Sequence, residues 1–136
     1  MKKMNNKGFS LVELIVVIAI MAVLVGVLAP QFIKYVESSR RSTDISNAQN
    51  IQSAVLADIA NGEAGFQGNT TSSFECNTAG VPSAIGEAPK VKGNKDNKDG
   101  YFYVQFNAAS GVCKVFSKNG GYELTDTSGA SNYKIP

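Results

Sequence analysis

Few residues in this chain could do chemistry, and Glu13 is the most conspicuous. It stands at the mouth of an apolar run, and the twenty residues that follow, Leu14 to Ile33, carry no charge. A carboxylate so placed has two possible uses. It can sit in the first turn of a helix, where the macrodipole favours an acid. Alternatively, it can meet a cation in surroundings where a lone charge is costly. Just before it, Gly8 is the one small residue at a sharp polar–apolar boundary, followed directly by Phe9. The other reactive groups are two cysteines, Cys76 and Cys113. They are too few and too widely spaced for a zinc ribbon or a Cys-x-x-Cys motif. Either they pair outside the cytoplasm or they are two small buried apolar side chains. There is no histidine, which excludes His-based acid–base catalysis and His metal ligation. Ser110 therefore has no imidazole to activate it, and Asp96 and Asp99 lie among lysines. In the stretch Lys90 to Gly100, placing Gly100 as the glycine of a calcium loop would make Lys95 the first ligand and Phe106 the last, so a solvated turn is the better reading. No enzyme activity, cofactor or metal is expected.

The elements that must position these groups begin with a short basic leader. Lys2, Lys3 and Lys7 precede Gly8, and they account for the net charge of +2. Without them ten basic face eleven acidic side chains, so direct nucleic-acid binding is not expected. The uncharged run is about 30 Å long as a helix, the hydrocarbon thickness of a bilayer. The lysines ahead of it predict a cytoplasmic N-terminus. A secretory signal would be cut after the run, but Ala29-Pro30-Gln31-Phe32 offers no Ala-x-Ala site. Gly26 and Pro30 predict a kink, because Pro30 has no N–H for the carbonyl of Gly26. Past Pro30, with Tyr35 placed for a membrane interface, charges appear at Lys34, Glu37, Arg40, Arg41 and Asp44, and Arg40-Arg41 reads as a solvated helix face or a contact with a neighbouring subunit rather than a nucleic-acid patch. Ile45, Ala48, Ile51, Val55 and Ile59, with Ala54, then recur at helical spacing as a stripe that packs on a sheet. Asn61-Gly62 is a stop signal, which predicts one helix from about residue 9 to 60.

Residues 62–100 lack sustained periodicity, and an irregular stretch of that length must be functional or pinned. Strands follow. In Tyr101 to Phe106, the residues Phe102, Val104 and Phe106 are expected to face the helix. Val112 to Ser117 returns after a hairpin loop at 107–111, Tyr122 to Leu124 gives a third strand, and Tyr133 to Ile135 a short fourth. The fold class is α+β: a long N-terminal helix whose C-terminal half packs on an antiparallel sheet of three or four strands.

Gly8-Phe9-Ser10-Leu11-Val12-Glu13 and the run to Pro30 resemble the class III signal of type IV pilins and pseudopilins, residue by residue over about Lys7 to Pro30 and in architecture beyond. The resemblance implies the roll fold of pilin heads. It implies cleavage between Gly8 and Phe9 by a prepilin peptidase, and N-methylation of the new Phe9 amine. Residues 1–8 would then be a removed leader, 9–33 a membrane and filament-core helix, and 34–136 a head outside the membrane, composed of helix 34–61, loop 62–100 and sheet 101–136. Glu13 would pair with a freed amine during assembly, and Gly26 to Pro30 would loosen in the filament. The implied partners are copies of the same chain, the peptidase-methylase, an assembly platform with its ATPase, and the membrane before assembly. The implied location is the cytoplasmic membrane for the precursor and an extracellular pilus afterwards. The implied function is a pilus subunit, with a pseudopilin of a secretion or competence system as the alternative. With the head outside, a Cys76–Cys113 disulfide becomes the favoured pairing and would contribute about 4 kcal/mol. Many pilins instead carry a staple near the chain end, and this chain has no cysteine after Cys113.

Overall fold

A computed structural model describes residues 8–62, 71–77, 82, 85–93, 96–107 and 109–134. The elements in chain order are α1 (Leu11–Asn61), β1 (Thr71–Glu75), β2 (Tyr103–Asn107), β3 (Val112–Phe116) and α2 (Thr127–Tyr133). The chain divides into two compact units, Met1–Tyr35 and Val36–Pro136.

In the first unit α1 is an apolar helix with no described residue packed on it. From Leu14 to Ile33 its large apolar side chains are about half exposed or more. Pro30 lies inside the helix, which continues through it. By length and composition this segment can cross a membrane. Left in water, so large an apolar surface would demand a partner.

In the second unit the stripe buries as its spacing requires. Ile45, Ala48, Ile51, Ala54 and Val55 are buried, and Ile59 packs against the same core. The facing side chains are Phe102, Val104 and Phe106 around β2, and Cys113 and Val115 of β3, joined by Cys76, Val91, Leu124 and Tyr133. Each fully buried large apolar side chain contributes about 1.5–3 kcal/mol. Tyr103 and Gln105 point away, as the two-residue alternation demands. The helix stops where the sequence says: Gly62 takes a φ of +73° and its N–H reaches the Ile59 carbonyl at 3.2 Å.

The sheet is antiparallel in the order β1-β2-β3. Its third strand is not the expected one. β1 comes from the stretch read as irregular, pairing Thr71 with Asn107 and Glu75 with Tyr103. Its sequence, TSSFE, has a single large apolar residue, and Phe74 packs edge-on to Phe106 with centroids 6.1 Å apart. Tyr122 to Leu124 makes only a bridge, Phe116 to Glu123, along the outer edge of β3. The expected strand at Tyr133 is instead the end of α2, which starts at Asp126 because its carboxylate accepts the Ser128 and Gly129 N–H groups at 3.1 and 3.4 Å.

Candidate functional site

Gly8, Phe9 and Ser10 precede the helix in non-helical backbone. Phe9 is 94% exposed, and a side chain at Gly8 would meet nothing within 4 Å. The Gly8–Phe9 peptide is thus an open, unpacked bond. Glu13 folds back on Ser10: its Oε2 accepts the Ser10 N–H at 2.8 Å and the Ser10 hydroxyl at 3.0 Å. The Ser10 Oγ in turn accepts the Glu13 N–H at 3.3 Å. This reciprocal pair is a capping box, and it supplies partners to helix N–H groups that an apolar medium would leave bare. Ser10 is the residue the sequence reading passed over, although Ser-x-x-Glu ahead of an apolar run was its signal. Capping does not exhaust the carboxylate. Oε1 makes no hydrogen bond to any described residue, so it can accept from a cation while Oε2 holds the cap. Gly26 and Pro30 lie farther along the same apolar helix.

The second unit holds a polar cluster around Arg41, whose Arg40-Arg41 pair reads in the sequence as a solvated face or a contact with a neighbouring subunit. Asp44 is fully buried and Glu37 is buried. Asp44 accepts the Lys92 N–H at 2.7 Å through Oδ1, and through Oδ2 the Gly93 N–H at 2.8 Å and the Tyr133 hydroxyl at 2.7 Å. Burial first, and then the Asp44 carboxylate, push the Tyr133 phenol well above its ordinary range. Arg41 donates from Nε to Glu37 Oε1 at 2.7 Å and from a terminal nitrogen to the Tyr133 carbonyl at 3.3 Å. A side chain at Gly93 would stand 2.5 Å from the Tyr133 hydroxyl oxygen and 3.0 Å from Asp44 Oδ2, so only glycine fits. Helix, loop and C-terminal segment are clasped here in one polar knot. Its signal was periodicity: positions 37, 41 and 44 continue the three- and four-residue steps of the buried stripe.

Asp96, weighed for calcium, is occupied. Lys118 Nζ lies 2.6 Å from its Oδ1, and the Ser117 hydroxyl donates to Oδ2. No cluster of three metal-ligating side chains occurs among the described residues. Burial raises the Asp96 carboxyl, but hydrogen bonds from Lys118 and Ser117, the Lys118 charge and the Tyr122 N–H outweigh it and hold the group below its ordinary value. A depressed carboxyl stabilises the fold above its unfolded pKa of about 3.9, and that contribution is lost as pH falls through the folded value. Unfolding temperature measured against pH should therefore drop on the acid side. Asp96→Asn should start lower at neutral pH and drop less. Identical acid limbs would contradict the assignment.

The Cys76–Cys113 disulfide is overturned. Both thiols are free and buried. The Cys76 N–H bonds the Phe102 carbonyl, while Cys113 stands opposite Phe106 on the other side of β2. Two strands across and four residues along put their Cα atoms about 16 Å apart, against a limit of about 7 Å. They are the small core residues of the other reading, and burial pushes each thiol up to about 11. A thiol reagent should find neither in the native protein and both after denaturation, and reductant should leave the unfolding temperature unchanged. Loss of both thiol signals in denaturant would restore the bridge.

A family model described as the prokaryotic N-terminal methylation motif matches residues 3–29, the stretch that holds the open peptide, the capping box and most of the apolar run. Over 116 residues the chain is 25% identical to a fimbrial protein of Moraxella nonliquefaciens, covering 83% of this chain and 74% of that protein. It is 33% identical over 94 residues to a type IV major fimbrial protein FimA of Dichelobacter nodosus, covering 63% of this chain and 60% of the relative. A second FimA from that organism is 33% identical over 75 residues, with 48% of its length covered. No solved structure matches the chain at a significant level. The fold is α+β, an apolar N-terminal helix joined to an antiparallel sheet, and in sequence the chain is similar to these fimbrial proteins.

Proposed function

We propose that the chain is the structural subunit of a type IV pilus, made as a membrane-anchored precursor and polymerised through its N-terminal helix. The observation that carries this reading is the methylation motif of residues 3–29 on a helix that leaves its apolar side chains uncovered. Hydrolysis of the exposed Gly8–Phe9 amide would leave a carboxylate on the leader and a free amine on Phe9, which is then methylated. That amine, on the same or a neighbouring subunit, pairs with Glu13. The apolar surface, which lipid covers in the precursor, is covered by other copies in the filament. Gly26 to Pro30 is the stretch that loosens on the way, since the Pro30 ring already removes one helix bond there. The leader lysines hold the N-terminus on the cytoplasmic side, and the unit from Val36 onward faces outward. Processing falls to a peptidase-methylase and polymerisation to an ATPase-driven platform in the membrane.

The relatives named as major fimbrial proteins favour the pilus over a secretion pseudopilin. Shearing intact cells and quantifying this chain in the pelleted filaments tests the choice. It should be the dominant protein there. Trace amounts, with protein secretion lost on deletion, would assign it to a pseudopilus.

A further inference from the structure

The head contains a cleft that neither the clasp nor the apolar helix explains. It has a volume of about 560 Å³ and is lined by Asn47 of α1, the segment 86–90, Lys92 and Tyr101. That size falls in the range of small-molecule sites. Its walls are fixed by backbone pairing. Lys90 bridges to Tyr101, the Val91 N–H bonds the Gly100 carbonyl at 2.8 Å, and the Lys92 N–H is held by Asp44. Glu87 and Ile85 sit in successive turns, with the Glu87 N–H on the Ile85 carbonyl at 2.9 Å. A site whose walls are already ordered loses little freedom when it is filled.

The side chains decide what would fill it. Lys90 and Lys92 flank the fully buried Val91, so both ammonium groups emerge on the exposed side of the segment. Neither makes a salt bridge with a described residue, although the Lys90 ammonium lies 5.4 Å over the centre of the Tyr101 ring. Two like charges lining one cleft call for an anion. Glu87 in the same cleft argues against a doubly charged phosphate, and its carboxylate and the Asn47 amide are suited to hydroxyl groups. Pro89 and the part of Tyr101 that the Lys90 ammonium does not cover add apolar surface against which a sugar ring can lie. We infer that this cleft binds an acidic saccharide, a pyranose carrying a carboxylate, with Lys90 and Lys92 on the acid and Asn47 and Glu87 on the hydroxyls.

The test uses the full-length mature chain, ¹⁵N-labelled in detergent micelles and titrated with cellobiuronic acid, a disaccharide of glucuronic acid and glucose. Saturable amide shifts are expected at Asn47, Glu87 to Lys92 and Tyr101. Cellobiose, which differs only in lacking the carboxylate, should bind about tenfold more weakly or worse, and Lys92→Gln should cost about tenfold. That variant keeps the backbone N–H that Asp44 holds. Should it fail to fold, Lys90→Gln makes the same measurement. Absence of saturable shifts would overturn the proposal, as would equal binding of cellobiose. Sodium sulfate at matched ionic strength giving the same shifts would reduce the cleft to a simple anion trap. An Asp-Asp dipeptide binding as tightly would transfer the site to acidic peptides.

Discussion

Glu13→Gln is expected to yield a chain that is inserted in the membrane and cut after Gly8 yet is missing from filaments. The substitution separates the capping contact, which the structure shows, from the proposed pairing with an amine. As a capping group it accepts from Ser10 through Oε2, and a glutamine carbonyl can do the same at this position of a capping box. As a charge it would meet the amine freed at Phe9, and a neutral amide cannot. The cap alone also cannot decide assembly, because α1 runs for 51 residues and loses little when its first turn frays. The two tasks therefore give different outcomes. If the cap were the only role, Glu13→Gln would assemble normally, whereas Glu13→Ala and Ser10→Ala would both show a mild defect. If the charge matters, Gln and Ala at position 13 fail alike and Ser10→Ala still assembles. Sheared-filament yield, normalised to cut subunit in the membrane fraction, separates the cases.

The second large effect belongs to the head. Asp44→Ala removes the acceptor of three donors, the part-buried N–H of Lys92, the buried N–H of Gly93 and the buried hydroxyl of Tyr133. Stranding them is expected to cost about 3–5 kcal/mol, a large part of the about 5–15 kcal/mol that holds an ordinary domain together. Tyr133→Phe removes one donor and should cost about 1 kcal/mol. Asp44→Asn should fall between them, since its carbonyl can serve some donors while its amide confronts the others. Urea unfolding in detergent, followed by the near-ultraviolet signal of the head tyrosines, checks the ranking. An Asp44→Ala protein as stable as wild type would show that the clasp is not formed. The clasp also explains how a chain with no cysteine after Cys113 secures its C-terminal segment. A side-chain network from Glu37 to Tyr133 takes that task.

What was legible in the sequence was whatever one residue type, repeated at one spacing, could announce. The uncharged run, the stripe from Ile45 to Ile59, the stop at Asn61-Gly62 and the alternation in Tyr101 to Phe106 each carry their own physics. β1 does not. Thr71 to Glu75 is polar and becomes a strand only because β2 offers it a partner in register, a tertiary cause that no local pattern reports. Tyr133 looked like strand because it is aromatic, yet Asp126 starts a helix ahead of it and Asp44 captures its hydroxyl. The clasp at 37, 41 and 44 went unread because these positions carry charge, although their spacing continues the buried stripe. The expected location outside the membrane favoured a bond that the register of the sheet forbids, since only the pairing pattern shows Cys76 and Cys113 on opposite sides of β2. At the N-terminus Gly8, Phe9 and Glu13 were all visible. Ser10 was not, because its role is to answer Glu13 rather than to stand out by itself.

The most direct measurement of all is the N-terminal mass of the chain recovered from sheared filaments. It should begin at Phe9 and carry one additional methyl group on the amine, with Glu13 intact. A filament protein that still begins at Met1, or one cut beyond Pro30 so that the apolar helix is gone, would contradict the reading of this chain as a pilin.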